Sequence, residues 1–226
     1  MSTLLTCGTA VSAQEPAFER VASGLQAETL RGGLGAAPGN SSRVIVKSAI
    51  ELIKQFEGWF ASPYNDPVGY CTIGYGHLVA LKLCSDSDLS GFDIPLTADA
   101  GQAILVDDTG LARHAVERFV SVDLTDAQFG ALSSFVFNVG QGNFSSSTLL
   151  KRVNASDFDG AAAQFHRWTM SRGVRLKGLV IRRSCEAALF SGRDLLNAQG
   201  VFDQNRCTLL GAPGPVDDPI DIIAGE

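Results

Sequence analysis

Glu57, Asp66 and Thr72 stand at E-x8-D-x5-T spacing inside the stretch QFEGWFASPYNDPVGYCTIGYGH, residues 55–77. Two carboxylates and a hydroxyl on one short segment suit the hydrolysis of a glycosidic bond. One carboxyl must carry a proton for the leaving oxygen. The other must be ionised, to steer or activate water. The competing reading is a solvated helix-end glutamate and a turn aspartate that never meet, since any pair of acids is weak evidence alone.

The elements around these residues favour the chemical reading. Val46, Ile50 and Ile53 recur at helical spacing, and Glu57 falls on the same stripe. Phe56, Trp59 and Phe60 add apolar bulk, and Gly58 suits a helix C-cap. The spacing predicts a helix over 43–57, capped by Ser41 or Ser42 and closed by Glu57. Partial burial and the negative end of a helix dipole both favour the protonated carboxyl that a general acid needs. Asp66 lies in the turn-rich run Tyr64-Asn65-Asp66-Pro67, expected to be wet and to keep it ionised. Residues 62–79 mix prolines and glycines with β-prone Tyr70, Thr72, Ile73 and Tyr75, which predicts a hairpin or small sheet.

Glu57, Asp66 and Thr72, followed by Ile73-Gly74-Tyr75-Gly76-His77, resemble the catalytic signature of the phage-type lysozymes, glycoside hydrolase family 24. The likeness continues through residues 131–140 (ALSSFVFNVG), 147–150 (STLL), Trp168 and 178–186 (GLVIRRSCE), in the manner of the lambdoid endolysin branch. It covers about residues 43–192, roughly two thirds of the chain. The resemblance implies an α+β, mostly α, two-lobed lysozyme-like fold, with a small β-hairpin lobe and a larger helical lobe. It also implies a muramidase that cleaves the β-1,4 bond between N-acetylmuramic acid and N-acetylglucosamine in peptidoglycan. Glu57 would be the acid, Asp66 and Thr72 would position water, and the configuration would invert. A lytic transglycosylase and a wall-binding module without activity are the rivals. Both Asp66 and Thr72 argue against the first, and the intact triad against the second.

Composition narrows the partners. The 226 residues carry 18 Lys and Arg against 24 Asp and Glu, a formal charge of −6. Such a chain lacks the basic surface that non-specific nucleic-acid binding requires. No apolar run of spanning length is present. Residues 167–193 hold seven basic side chains against Glu186, which could face an anionic polymer or pair with neighbouring helices. No metal or cofactor is implied, and no Cys/His spacing suits zinc. A monomer acting on the bacterial cell wall is expected. A phage endolysin, a secreted lysozyme and a delivered effector all fit.

Three further residues near these motifs are substrate-binding candidates: Tyr75, His77 and Asn138. Each has a plain structural alternative: Tyr75 in the hairpin, His77 as a hydrogen-bonded histidine, Asn138 as a helix cap. Trp59 and Trp168 read as packing residues. Residues 1–42, rich in small side chains, read as a flexible leader or signal-like segment, and 211–226 as an acidic flexible tail. The domain between them is 43–210. Losing Cys7 with a leader would leave Cys71, Cys84, Cys185 and Cys207. Among three pairings the sequence-local ones, Cys71–Cys84 and Cys185–Cys207, are favoured, with four separate thiols as the alternative. Thr97 and Thr125 are expected to cap helices, Gly110 to break one, and further helices are expected near 147–153, 157–169 and 179–190.

Overall fold

The computed structural model describes residues 43–208 and 218–226. The expected leader over 1–42, with Cys7 and the serine caps, lies outside the described residues.

Helix α1 runs from Lys47 to Glu57, four residues shorter at its start than the sequence suggests. Arg43 explains the difference. Its guanidinium donates to the Leu124 carbonyl and pairs with Asp126 at 2.8 Å. Val46, the last residue before the helix, is extended. Ala49, Ile50, Leu52 and Ile53 form the buried face of α1. Gly58, at φ +73°, ends the helix, and its N–H donates to the Lys54 carbonyl.

Three antiparallel strands follow in the order β1 (Phe60–Asn65), β2 (Cys71–Gly74) and β3 (His77–Ala80). Every residue of β2 is buried. The register pairs Tyr64 with Thr72 across β1–β2, and Thr72 with Leu78 across β2–β3. A disulfide joins Cys71 at the start of β2 to Cys84 in a short 3-10 turn.

The helical lobe holds α2 (Ala98–Asp108), α3 (Gly110–Phe119), α4 (Asp126–Val139), α5 (Gln141–Ser146), α6 (Thr148–Asn154), α7 (Phe158–Phe165) and α8 (Lys177–Phe190). Thr97 caps α2, and Thr125 with Gln128 forms a capping box on α4. The chain breaks between α2 and α3 at Thr109, one residue before the expected Gly110. Helix α4 runs through the core, with Phe129, Ala131, Leu132, Phe135, Val136 and Val139 all buried. Gly130 lets α1 approach it. A Cβ there would meet Val46 at 2.8 Å and Ala49 at 2.9 Å, too close for any side chain. A two-residue hairpin, β4 (Met170–Ser171) and β5 (Val174–Arg175), precedes α8. A second disulfide, Cys185–Cys207, ties α8 to the chain that follows it.

The expected flexible tail is corrected over 218–226. Ile220 and Ile222 are buried. The Met170 backbone N–H donates to the Ile220 carbonyl at 3.1 Å, and the Met170 carbonyl accepts from Ile222 at 2.9 Å. Asn143 donates to the Ile222 carbonyl at 2.8 Å. Arg167 pairs with Asp218 and Glu226 at 2.9 and 2.7 Å. Two isoleucines at alternate positions are enough to dock an extended segment when its acids meet a cation.

Candidate active site

Glu57 ends α1 where the helix meets the sheet. Its side chain is only 6% exposed. Oε1 accepts from Arg182 Nη1 at 2.8 Å, a contact spanning 125 residues. Oε2 faces the two-residue turn between β2 and β3, where a Cβ on Gly76 would lie 3.9 Å from it. Gly76 has φ +87°, so the turn favours glycine there on conformation as well as space. The apolar surround expected for Glu57 is therefore only part of its environment. An ion pair supplies the rest.

Asp66 sits just past β1 and is 5% exposed, which corrects the expectation of a wet turn. Backbone donors replace water. Oδ1 accepts from the N–H groups of Val68 and Tyr70 at 2.9 and 2.8 Å. Oδ2 is buried and receives no hydrogen bond among the described residues. Thr72 on β2 is 1% exposed, and its hydroxyl donates to the Tyr70 carbonyl at 3.2 Å. Tyr70 thus joins the two, with its N–H on Asp66 and its carbonyl on Thr72. Neither residue hydrogen-bonds Glu57. The link between them is the short β2, which carries Thr72 and leads into the turn at Gly76.

Arg182 is 3% exposed. Its Nε meets Glu186 at 3.1 Å, and its Nη2 reaches the Ser134 carbonyl at 3.4 Å. Burial works against this guanidinium, but Glu57 and Glu186 outweigh it and hold its pKa above the ordinary value. Arg183 is fully buried and donates to Asn138 Oδ1 at 2.6 Å. Burial pushes Arg183 down to about 10, with Arg182 adding repulsion against the pull of Glu186.

The three residues singled out as substrate contacts have internal partners. Tyr75 packs on Trp59, ring centroids 4.8 Å apart, with the Lys54 ammonium 5.5 Å from its own ring centroid. His77 on β3 faces Asp108 on α2, with Nδ1 3.0 Å from both carboxylate oxygens. That hydrogen bond raises the His77 pKa above 6.5, against the effect of burial. Asn138 is 5% exposed and bonds Arg183; Gly140, not Asn138, caps α4. The basic run over 167–193 is likewise drawn inward in part. Arg182 and Arg183 are buried, and Arg167 serves the docked C-terminal segment. In the sequence Glu186 counts only as the one acid of a basic run, and Ser134 has no role of its own. The signal for Glu186 was its place four and three residues after two arginines, on one helix face.

Among the described residues, no helix is long and apolar enough to cross a membrane.

A family profile described as Phage lysozyme matches residues 54–186. The endolysin of Acyrthosiphon pisum secondary endosymbiont phage 1 is 35% identical over 150 residues, covering 65% of this chain and 97% of that protein. The endolysin of Bacillus phage B103 is 38% identical over 148 residues. That match covers 65% of this chain but 53% of the relative, so the chain spans about half the length of that relative. Among solved structures, the muramidase domain of SpmX from Asticaccaulis excentricus has a TM-score of 0.56 at 35% identity. It aligns over 66% of this chain and 98% of its own.

Proposed function

Because the chain belongs to the phage lysozyme family, we propose that it is a muramidase that hydrolyses the β-1,4 bond between N-acetylmuramic acid and N-acetylglucosamine in peptidoglycan. The observation that carries this reading is the placement of Glu57. It is a nearly buried carboxyl at a helix end, with one oxygen fixed by Arg182 and the other turned to the β2–β3 turn.

Glu57 Oε2 protonates the leaving oxygen while Arg182 keeps Oε1 in place. Asp66 uses Oδ1 to hold its own turn, leaving Oδ2 to meet the attacking water and take its proton. The Thr72 hydroxyl, beside the same Tyr70 peptide, assists in holding that water. The Asp66 charge also stabilises the positive sugar that develops as the bond breaks. The protein acts as a monomer on the bacterial cell wall, and the same chemistry serves an endolysin, a secreted lysozyme or a delivered effector.

Product analysis tests the proposal. Digested peptidoglycan is expected to show reducing muramic-acid ends, because water is the acceptor. Mass spectra dominated by 1,6-anhydro ends would move the enzyme to the lytic transglycosylases. Binding to peptidoglycan with no new ends would leave only a wall-binding module.

A further inference from the structure

Residues 182, 183 and 186 fall on one side of α8, three and four positions apart, and Ser134 and Asn138 meet them from α4. Two guanidinium groups on consecutive buried residues repel each other. A buried charge is costly unless it is paired and hydrogen-bonded. Glu186, fully buried, is the anion that touches both. Oε1 accepts from Arg182 Nε at 3.1 Å and from the Ser134 hydroxyl at 2.8 Å. Oε2 lies 3.1 Å from Arg183 Nε, close enough for an ion pair though not aligned as a hydrogen bond.

We propose that Glu186 is a positioning residue for Glu57, acting through Arg182. The proposal rests on the reading of Glu57 as the general acid. Arg182 has two firm attachments, Nε to Glu186 and Nη1 to Glu57. Its third, to the Ser134 carbonyl, is long at 3.4 Å. A guanidinium is a rigid plane. Fixing Nε on one side therefore fixes where Nη1 stands on the other, and with it Glu57 Oε1. The orientation of Oε2 follows. Without Glu186, Arg182 keeps Glu57, the long contact to the Ser134 carbonyl and the Phe56 ring 5.7 Å from its guanidinium carbon, and none of these fixes Nε against the repulsion of Arg183. Glu186 is itself held from two helices, by Ser134 on α4 and by Arg183, which Asn138 steadies. The chain of contacts thus makes the core helix α4 the reference for a carboxyl at the end of α1.

Glu186→Gln, which removes the charge and sets an amide NH2 against the Arg183 donors so that its one oxygen cannot keep its place, tests this, assayed on purified glycan fragments by release of reducing ends, with the folded fraction measured by circular dichroism. The variant is expected to lower kcat about 10- to 100-fold at unchanged KM, the size of a small misplacement of a reacting group. The same change made on top of Arg182→Met is expected to cost almost nothing more, because its route to Glu57 is already cut. A loss equal in both backgrounds, a loss confined to KM, an unchanged kcat, or a loss that tracks the unfolded fraction would overturn the proposal. Should Glu186→Gln fail to fold, Ser134→Ala decides. It frees one side of Glu186, and a kcat lowered about threefold, with the effect absent in the Arg182→Met background, supports the proposal. Any other result for Ser134→Ala overturns it. Full activity in Glu57→Gln would instead remove the reading of the acid, whatever Glu186 does.

Discussion

Asp66 and Thr72 in the β lobe are held by backbone groups between Asp66 and Thr72 themselves. Glu57, at the edge of the helical lobe, is held by a guanidinium 125 residues further along the chain. One half of the site is built by a turn folding on itself, and the other by charged side chains drawn from distant helices. A turn of this kind forms whenever its few residues adopt the right dihedrals. An ion pair between α1 and α8 exists only once both pack on α4. On the proposed reading, water-holding and proton donation therefore depend on different scales of structure, and damage to the two should look different.

The sharpest break in the comparison is at the proposed proton donor. Glu57→Gln keeps the shape and an acceptor for Arg182 but has no acid proton. Activity is expected to fall about 10²- to 10⁴-fold, in line with the usual worth of general acid catalysis. Measured kcat near that of the parent would mean that the acid lies elsewhere.

In the β lobe the expected losses are graded. Asp66→Asn keeps Oδ1 and its two backbone donors, so the turn survives. It removes the charge and puts an amide where Oδ2 stood, and a fall of about 10²-fold or more is expected. Thr72→Ala is expected to be milder, about tenfold, since on the proposed reading the hydroxyl contributes one hydrogen bond in support of Asp66. The order of the two can be read from initial rates on the same glycan. Equal losses would make Thr72 a full partner in holding water.

This difference of scale also decides what was readable in the sequence. Glu57, Asp66 and Thr72 stand in one stretch of turn and strand signals, and Thr97 and Thr125 each announced a helix start with a side chain that does cap one, while Ser147, expected only at the start of a helix, caps one as well. The β4–β5 hairpin went unread, because two-residue strands around Arg172-Gly173 have no periodicity to detect. Helix α5, with Gly142 inside it and serines at its end, has little intrinsic propensity and follows from packing of Phe144 in the core. The burial of Glu186 and Arg183 was invisible for another reason. Local sequence shows that their charges are neighbours but not that α4 covers them. The docking of 218–226 was missed because acids and prolines outweigh two isoleucines in any composition-based reading.

The two disulfides extend the comparison. Their cysteines stand 13 and 22 positions apart, and removing either bond is expected to cost about 3 kcal/mol, seen as a lower melting temperature. Their effects on activity should part. Around β2 the buried apolar side chains are few, mainly Cys71, Ile73 and Leu96, so the bond restrains the strand next to Thr72. Helix α8 is anchored by Leu179, Ala187, Ala188, Leu189 and Phe190 as well. Cys71→Ala with Cys84→Ala is expected to lower kcat severalfold at temperatures where the variant is fully folded. Cys185→Ala with Cys207→Ala should leave kcat near that of the parent there. Matching kcat values for the two pairs would show that the β lobe holds its own shape without its disulfide.

The smallest expected effect lies where the lobes meet, at His77 on β3 and Asp108 on α2. The hydrogen bond to Asp108 raises the His77 pKa above 6.5, so the folded protein binds a proton more tightly than the unfolded chain. The sign follows from linkage. The stabilisation is fully present below about pH 6.5, the unfolded value, and is lost as pH rises through the folded value. The pair is partly exposed, with side chains 29% and 27% accessible, so its worth is about 1 kcal/mol or less. Asp108→Asn is therefore expected to lower the melting temperature by about 2–4 °C at acid pH. That difference should shrink towards zero in alkaline buffer, where His77 is neutral in either protein. The lobes would then be joined more firmly in acid than in base at this contact. A melting-temperature difference that stays constant across the range would show that His77 and Asp108 meet as a neutral hydrogen bond rather than as an ion pair.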